Sequence, residues 1–287
     1  MGEKLALLKP KIDVVFHALF REGNEKITKA MIQAATKEKI QKVNLDNDKN
    51  LVGKYPEEKL GIVDLKATLD NGTICDIEIQ LADNKDTAER FLFYWSRIYA
   101  GQLVKGDDYE KLNKVIGIII IDYELEKTKE VQKLSTKWKI REVSTGKQIE
   151  LTDVFELYII EIPKAWRMLK EEPKNELAQW VMFINDPNES EVSKIMEDNK
   201  EIKEAMNELE KISKDKELRR VAELREKAIR DEKNGLRHAK EEGIKEGIKE
   251  GIEQVAKKML ELNIPIQDII KTTGLQEKQI LELKKNV

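Results

Sequence analysis

The stretch LGIVDLKATLDNGTICDIEIQ, residues 60–80, is two alternating runs joined by Asp70-Asn71-Gly72. Alternation of apolar and polar residues is the period of a half-buried strand, and the joining triplet is a hairpin turn sequence. A two-residue loop at Asn71-Gly72 would pair Asp64 with Ile79 and leave Asp64 and Glu78 on opposite faces. A three-residue loop, a type I turn with Gly72 left-handed, sets Leu69 across from Thr73 and Asp64 across from Glu78. Only this second register gathers Val63, Leu65, Ala67 and Leu69 on the side of Ile77, Ile79 and Leu81. Register follows the apolar face, so the core selects it. The opposite side then carries Asp64, Asp76, Glu78 and Gln80.

Directly opposed side chains have β-carbons about 4.5–5.5 Å apart, and like charges at that separation destabilise a sheet. A divalent cation between them turns repulsion into attraction. Mg²⁺ takes oxygen ligands, one or two carboxylates among them, with several waters and often a phosphate. The backbone carbonyl of Ile79 is a natural further ligand. The competing reading is a solvated outer face, neutralised by Lys66, which points to the same side two residues from Asp64.

Around the hairpin the pattern alternates between strand and helix. Residues 11–36 have apolar residues at helical spacing, with a break near Gly23-Asn24. Residues 44–58 are polar and read as a loop, and 86–105 as a long helix stopping at Gly106. KVIGIIIID (114–122) is a continuous apolar run, expected of a strand buried on both faces, and VFELYIIEI (154–162) is another. Interleaved strands and helices argue for an α/β core with both faces covered. After about residue 170 helical patterns dominate, and 196–242 is almost all charged, with apolar residues every three or four. The chain ends in two or three short helices with turns at 263–265 and Gly274.

Composition narrows the function classes. No apolar run approaches the ~20 residues that span a bilayer, and MGEKLALLKPK is too short and too charged for a secretory signal. The single cysteine, Cys75, excludes an internal disulfide and any multi-cysteine zinc site, and it reads as a small core residue. A cytoplasmic protein without membrane association is expected. The net charge of −3 gives no global pull on nucleic acid, so binding would need a local basic surface and a cation to screen the acids. His17 and His238 read as isolated polar residues, and Tyr109 as packing.

An Asp on one strand followed by Glu-x-Lys on the next is the signature of PD-(D/E)xK nucleases, and this chain resembles it with Asp64 and then Glu78-Ile79-Gln80. With Gln in place of Lys, it is similar to the Rpn family, the recombination-promoting nucleases or PD-(D/E)xK family transposases. KIDVVFHALF (11–20) resembles that family's opening helix, with Asp13, Phe16 and Phe20. ERFLFYWSRIYAGQLVKGDDYEKLNKVIGIIIID (89–122) resembles its helix and third strand, including Arg90, Tyr94, Gln102, Gly106 and Tyr109. FELYIIEIPK and the Gly-Ile-Lys-Glu repeat are also similar.

The resemblance implies a restriction-endonuclease-like mixed sheet flanked by helices over 1–170. A charged helical extension (171–240) and a small helical module (241–287) for dimerisation or DNA engagement would follow. It implies Mg²⁺- or Mn²⁺-dependent hydrolysis of DNA, with Asp64, Glu78 and the Ile79 carbonyl on the metal and Gln80 in the catalytic motif. Gln80 can orient a water but carries no charge; Lys66 is a candidate substitute, and Asp13 would complete the acidic site. Arg90 and Tyr94, one helical turn apart, are candidates for the substrate side, with Gln102 further along. A catalytically weak or inactive nuclease-fold protein that binds nucleic acid or regulates is the alternative, and RNA is an open substrate.

The repeat EEGIKEGIKEGIE places Gly243, Gly247 and Gly251 on one helical face. Each interior glycine costs about 1 kcal/mol against alanine, so a second helix is expected close by, within the chain or across a homodimer.

Overall fold

In the computed structural model, which describes residues 6–46, 50–51, 61–62, 64–83 and 85–284, the hairpin forms with the three-residue loop. Strand β4, Leu65–Leu69, pairs antiparallel with β5, Ile74–Gln80, as Leu65 with Ile77, Lys66 with Asp76 and Ala67 with Cys75. At the turn, Leu69 N–H donates to the Thr73 carbonyl (2.8 Å) and Gly72 N–H to that of Leu69 (3.0 Å). Gly72 has φ +84°, the left-handed value this loop requires. Val63 and most of the 44–58 stretch lie outside the described residues.

Three short strands precede β4: β1, Val43–Asp46; β2, Asn50–Leu51; and β3, Gly61–Ile62. The stretch expected to be a loop therefore contains a strand. β1 pairs antiparallel with β4, Val43 opposite Leu69, and its Val43 is buried. The expected strand over 60–69 is likewise split, with Asp64 in a bend just ahead of β4.

The main sheet has six strands in the order β1-β4-β5-β6-β8-β7, where β6 is Val115–Ile121, β7 is Ser135–Trp138 and β8 is Phe155–Glu161. β5, β6 and β8 run parallel. The isoleucine run of β6 suits it to this position: all seven of its residues are buried, as an interior parallel strand requires. β7 closes the sheet antiparallel to β8.

Helices cover both faces. On one side, α1 (Asp13–Leu19) and α2 (Glu25–Thr36), separated at Gly23-Asn24, join α5 (Glu176–Asn185). The Phe16 and Phe20 rings meet tilted, with centroids 4.4 Å apart, and the Trp180 ring lies 6.4 Å from that of Phe20. The Tyr158 hydroxyl donates to the Thr36 carbonyl, tying α2 to β8. On the other side, α3 (Thr87–Ala100) crosses between β5 and β6. Its Phe91 packs with Ile119, Ile121, Phe155, Leu157 and Ile159. α3 ends at Ala100, earlier than Gly106, because Gly101 takes over as its cap and the chain turns.

The chain separates into two compact units, Met1–Lys227 and Ala228–Val287. The first continues past the sheet through α4 (Ala165–Glu171), α5, α6 (Ser190–Asp198) and α7 (Lys200–Ile212). The second comprises the end of the 46-residue helix α8 (Lys216–Glu261) with α9 (Ile266–Thr273) and α10 (Glu277–Lys284). Its core is Ala256, Ile269 and Ile280, ringed by residues such as Leu260, Ile264 and Leu275. A β-carbon added at Gly243, Gly247 or Gly251 would meet nothing within 4 Å. Close helix packing within the chain, one of the two expectations for this repeat, is therefore not present among the described residues. No helix among the described residues is long and apolar enough to cross a membrane.

Candidate active site at the open end of the β4–β5 hairpin

The acidic face of the hairpin is not solvated. Asp76 is 0% exposed and Glu78 8%. β5 residues 76 and 78 lie beside Gly117 and Ile119 of β6, and Phe91 of α3 presses onto Gly117 so closely that a β-carbon there would lie 2.0 Å from its ring. Glycine at 117 is what lets the helix come down onto β6 beside the acids. Burial of a charge without a partner is costly, and such groups respond by holding a proton.

Asp64 and Glu78 meet as the register requires. The backbone N–H of Asp64 donates to Glu78 Oε1 at 3.2 Å, and the N–H of Ile79 donates to Asp64 Oδ2 at 2.9 Å. Each acid is held by the backbone beside the other, so the two carboxylates are fixed at the end of the hairpin. Burial, then the charges of Asp76 and Asp64, push the Glu78 carboxyl up to about 9. Burial, then Asp64, push Asp76 up to about 7, against the pull of Lys66.

Lys66 stands directly opposite Asp76, and its charge draws that acid toward the ionised form. Asp13 and His17 are one turn apart on α1. Asp13 Oδ2 lies 3.6 Å from Arg225, and His17 Nε2 lies 3.8 Å from Asp64 Oδ1. Arg90 is exposed at the start of α3, its guanidinium 5.4 Å from the ring centre of the buried Tyr94, and its charge opposes the rise at Glu78. Beside it the Tyr123 and Thr87 hydroxyls share a 2.6 Å hydrogen bond.

Gln102 sits elsewhere. Its amide exchanges two hydrogen bonds with the backbone of Asn113, at 3.1 and 2.8 Å, two residues before the start of β6 and so at the opposite end of the strands from Glu78. Asp64, Glu78, Gln80 and the Ile79 backbone are brought together, with Asp76 and Lys66 below them. His17 and Asp76 were not singled out from sequence. Asp76 was visible in the acidic row, and His17 is four residues after Asp13, the only signal the chain offers for it.

The donor set fits a hard cation. Among the described residues, the buried side-chain atoms without a hydrogen-bond partner are Asp13 Oδ1, both oxygens of Asp76, and Gln80 Nε2. All belong to residues expected in or beside the acidic row, and orphaned buried polar atoms are rare in folded proteins. No three His, Cys, Asp or Glu side chains among the described residues stand together as a complete metal cage. Two carboxylates and a carbonyl, with water and substrate oxygens filling the rest, is the pattern that Mg²⁺ accepts.

A family profile described as PD-(D/E)XK nuclease family transposase matches residues 10–239. The chain belongs to this family. The match takes in the whole sheet, both covering layers and every residue of the hairpin site, and the mixed six-strand sheet with flanking helices agrees with a restriction-endonuclease-like fold. A nuclease-like function follows from the membership. No curated protein and no solved structure matches the chain.

Proposed function

We propose that this PD-(D/E)XK family member is a divalent-cation-dependent endonuclease that hydrolyses DNA phosphodiester bonds, acting in recombination or transposition. The observation that carries the reading is the pairing of half-buried Asp64 with buried Glu78, cross-held by the backbone at 3.2 and 2.9 Å. Acids buried this way hold a proton until a cation displaces it, and Asp64, Glu78 and the Ile79 carbonyl would hold that cation as Mg²⁺ or Mn²⁺. When bound, such a cation acidifies a coordinated water and offsets charge on a phosphate oxygen. Gln80, whose Nε2 is buried without a partner, would donate a hydrogen bond that orients the attacking water or a phosphate oxygen. Arg90, exposed beside Glu78, would meet a substrate phosphate, with Tyr94 beneath it as a platform. Asp13 would contribute negative charge at the rim, and Gln102 would act only through the loop it holds.

The test is a substrate panel: supercoiled plasmid, linear duplex, single strand and RNA, each with Mg²⁺, Mn²⁺, Ca²⁺ or EDTA. Nicking or linearisation of plasmid in Mg²⁺ or Mn²⁺, lost in Asp64→Ala and Glu78→Ala, is the expected result. Equal cutting by the variants and the wild type would refute the assignment. One observation favours a second reading, a binding or regulatory protein on the nuclease fold: Gln80 has no charge, and Lys66, the candidate substitute, faces Asp76. That reading predicts DNA binding without cation and no cleavage with any of them.

A further inference from the structure

We propose that the buried Glu161–Lys164 pair is a positioning device for the active site: it clamps the strap of residues 122–131, and the strap ties the end of β5 to the start of α3. The inference rests on the reading of Gln80 and Arg90 as groups that meet the attacking water and a substrate phosphate, and it adds residues that act through them.

The pair is sealed from water, with Glu161 0% and Lys164 4% exposed, and nothing in the proposed chemistry uses it. A charge pair is tolerated in such a place when further hydrogen bonds satisfy both partners. Lys164 Nζ donates to the carbonyls of Thr128 (2.9 Å) and Val131 (2.8 Å) and to Glu161 Oε2. Glu161 Oε1 accepts the Leu125 N–H (2.8 Å) and the Thr128 hydroxyl (3.2 Å). Each of these bonds beyond the pair itself ends on the strap, and bonds to ionised groups are stronger than neutral ones.

The strap lies at the catalytic end of the sheet. Glu161 closes β8 in register with Ile121, which is in register with Gln80, so the clamp is two strand spacings, about 10 Å, from the motif residue. Asp122 N–H donates to the Gln80 carbonyl at 3.0 Å. The next residue, Tyr123, shares its 2.6 Å hydrogen bond with Thr87, the first residue of α3. Tyr123 and Leu125 also pack against the cluster that holds Phe91. Burial raises the Tyr123 phenol above its ordinary value, and the Arg90 charge pulls against that rise as it does at Glu78, so one guanidinium acts on both groups. The strap thus touches the two elements that carry Gln80 and Arg90, and the clamp fixes it between them. A displacement of about 1 Å at such groups can cost about a hundredfold in rate.

The experiment uses the full chain and two changes that spare the packing. Glu161→Gln with Lys164→Met removes both charges of the clamp together and keeps the side-chain lengths, and Tyr123→Phe removes one hydroxyl. Circular dichroism of both should match the wild type. In plasmid nicking with Mg²⁺ or Mn²⁺, Tyr123→Phe should raise KM about threefold or more, the effect of one hydrogen bond, with kcat nearly unchanged. The clamp variant should raise KM by as much and lower kcat about tenfold or more. Adding Tyr123→Phe to it should raise KM no further, because both act through one path. In EDTA, amide exchange of residues 123–131 and of the first turn of α3 should be faster in the clamp variant. Wild-type KM and kcat in both variants, additive effects on KM, or unchanged exchange at the start of α3 would overturn the proposal while the nuclease reading stands. If the clamp variant does not fold, Tyr123→Phe decides alone, and a wild-type KM overturns the proposal. If the wild type cuts nothing with any cation, the nuclease reading fails and exchange judges the clamp: faster exchange in both segments supports it, and unchanged exchange overturns it.

Discussion

Glu78 is the residue whose environment has the clearest measurable consequence. Its carboxyl is raised from the usual 4.5 to about 9, so between those values the folded chain keeps a proton that the unfolded chain has released. The folded state then binds more protons, and stability falls as pH rises. The contribution is fully present below about 4.5 and is lost as pH passes through about 9. Asp76 adds to the same slope up to about 7. Glu78→Gln stays neutral and removes its share. In EDTA the melting temperature of Glu78→Gln should therefore gain on the wild type as pH is raised from 6 to 9, and a gap independent of pH would contradict the assignment. A cation that needs the ionised acid should reverse the order, because proton and metal compete for the same oxygens. The wild type should be stabilised more at pH 8 than at pH 6, and the variant little at either.

At the scale of elements, the site depends on how closely α3 approaches β6. Gly117→Ala would place a β-carbon 2.0 Å from the Phe91 ring. Overpacking of this kind costs about 1–3 kcal/mol, read by urea denaturation. The cost should shrink when Phe91→Leu is made in the same chain, since contacting residues couple; an additive pair would mean that the helix is not seated on that glycine. The hairpin was legible because alternation and turn chemistry both demanded one register, and β6 and β8 because long apolar runs leave few alternatives. β7 was not: Ser-Thr-Lys-Trp is four residues on a sheet edge, one face bearing Lys137 in an ion pair with Glu156 and the other an exposed Trp138. β1 was hidden in a polar stretch because its place is fixed by pairing with β4 and not by its own pattern. The facing of Asp64 and Glu78 could be read from register. The burial of Glu78 could not, because burial is made by tertiary packing and not by the strand's own pattern. His17 was missed for a related reason, since its approach to Asp64 is made by tertiary packing of α1.

Over the whole molecule, chemistry and family membership fall on the same part of the chain. The match covers 10–239 and ends before the glycine repeat begins at Gly243, so the nuclease reading belongs to the first unit. The second unit has its own small core and an uncovered glycine face, and self-association or DNA engagement remains the proposal for it. With a net charge of −3 and a cluster of acids at the site, the protein has little general attraction for a polyanion, so the cation becomes central to how substrate phosphate is met. The most direct test of the account is anomalous diffraction from crystals of the full chain soaked in Mn²⁺. The account predicts a peak within bonding distance of the carboxylates of both Asp64 and Glu78. A peak bound elsewhere, with neither acid within bonding distance of it, would contradict it.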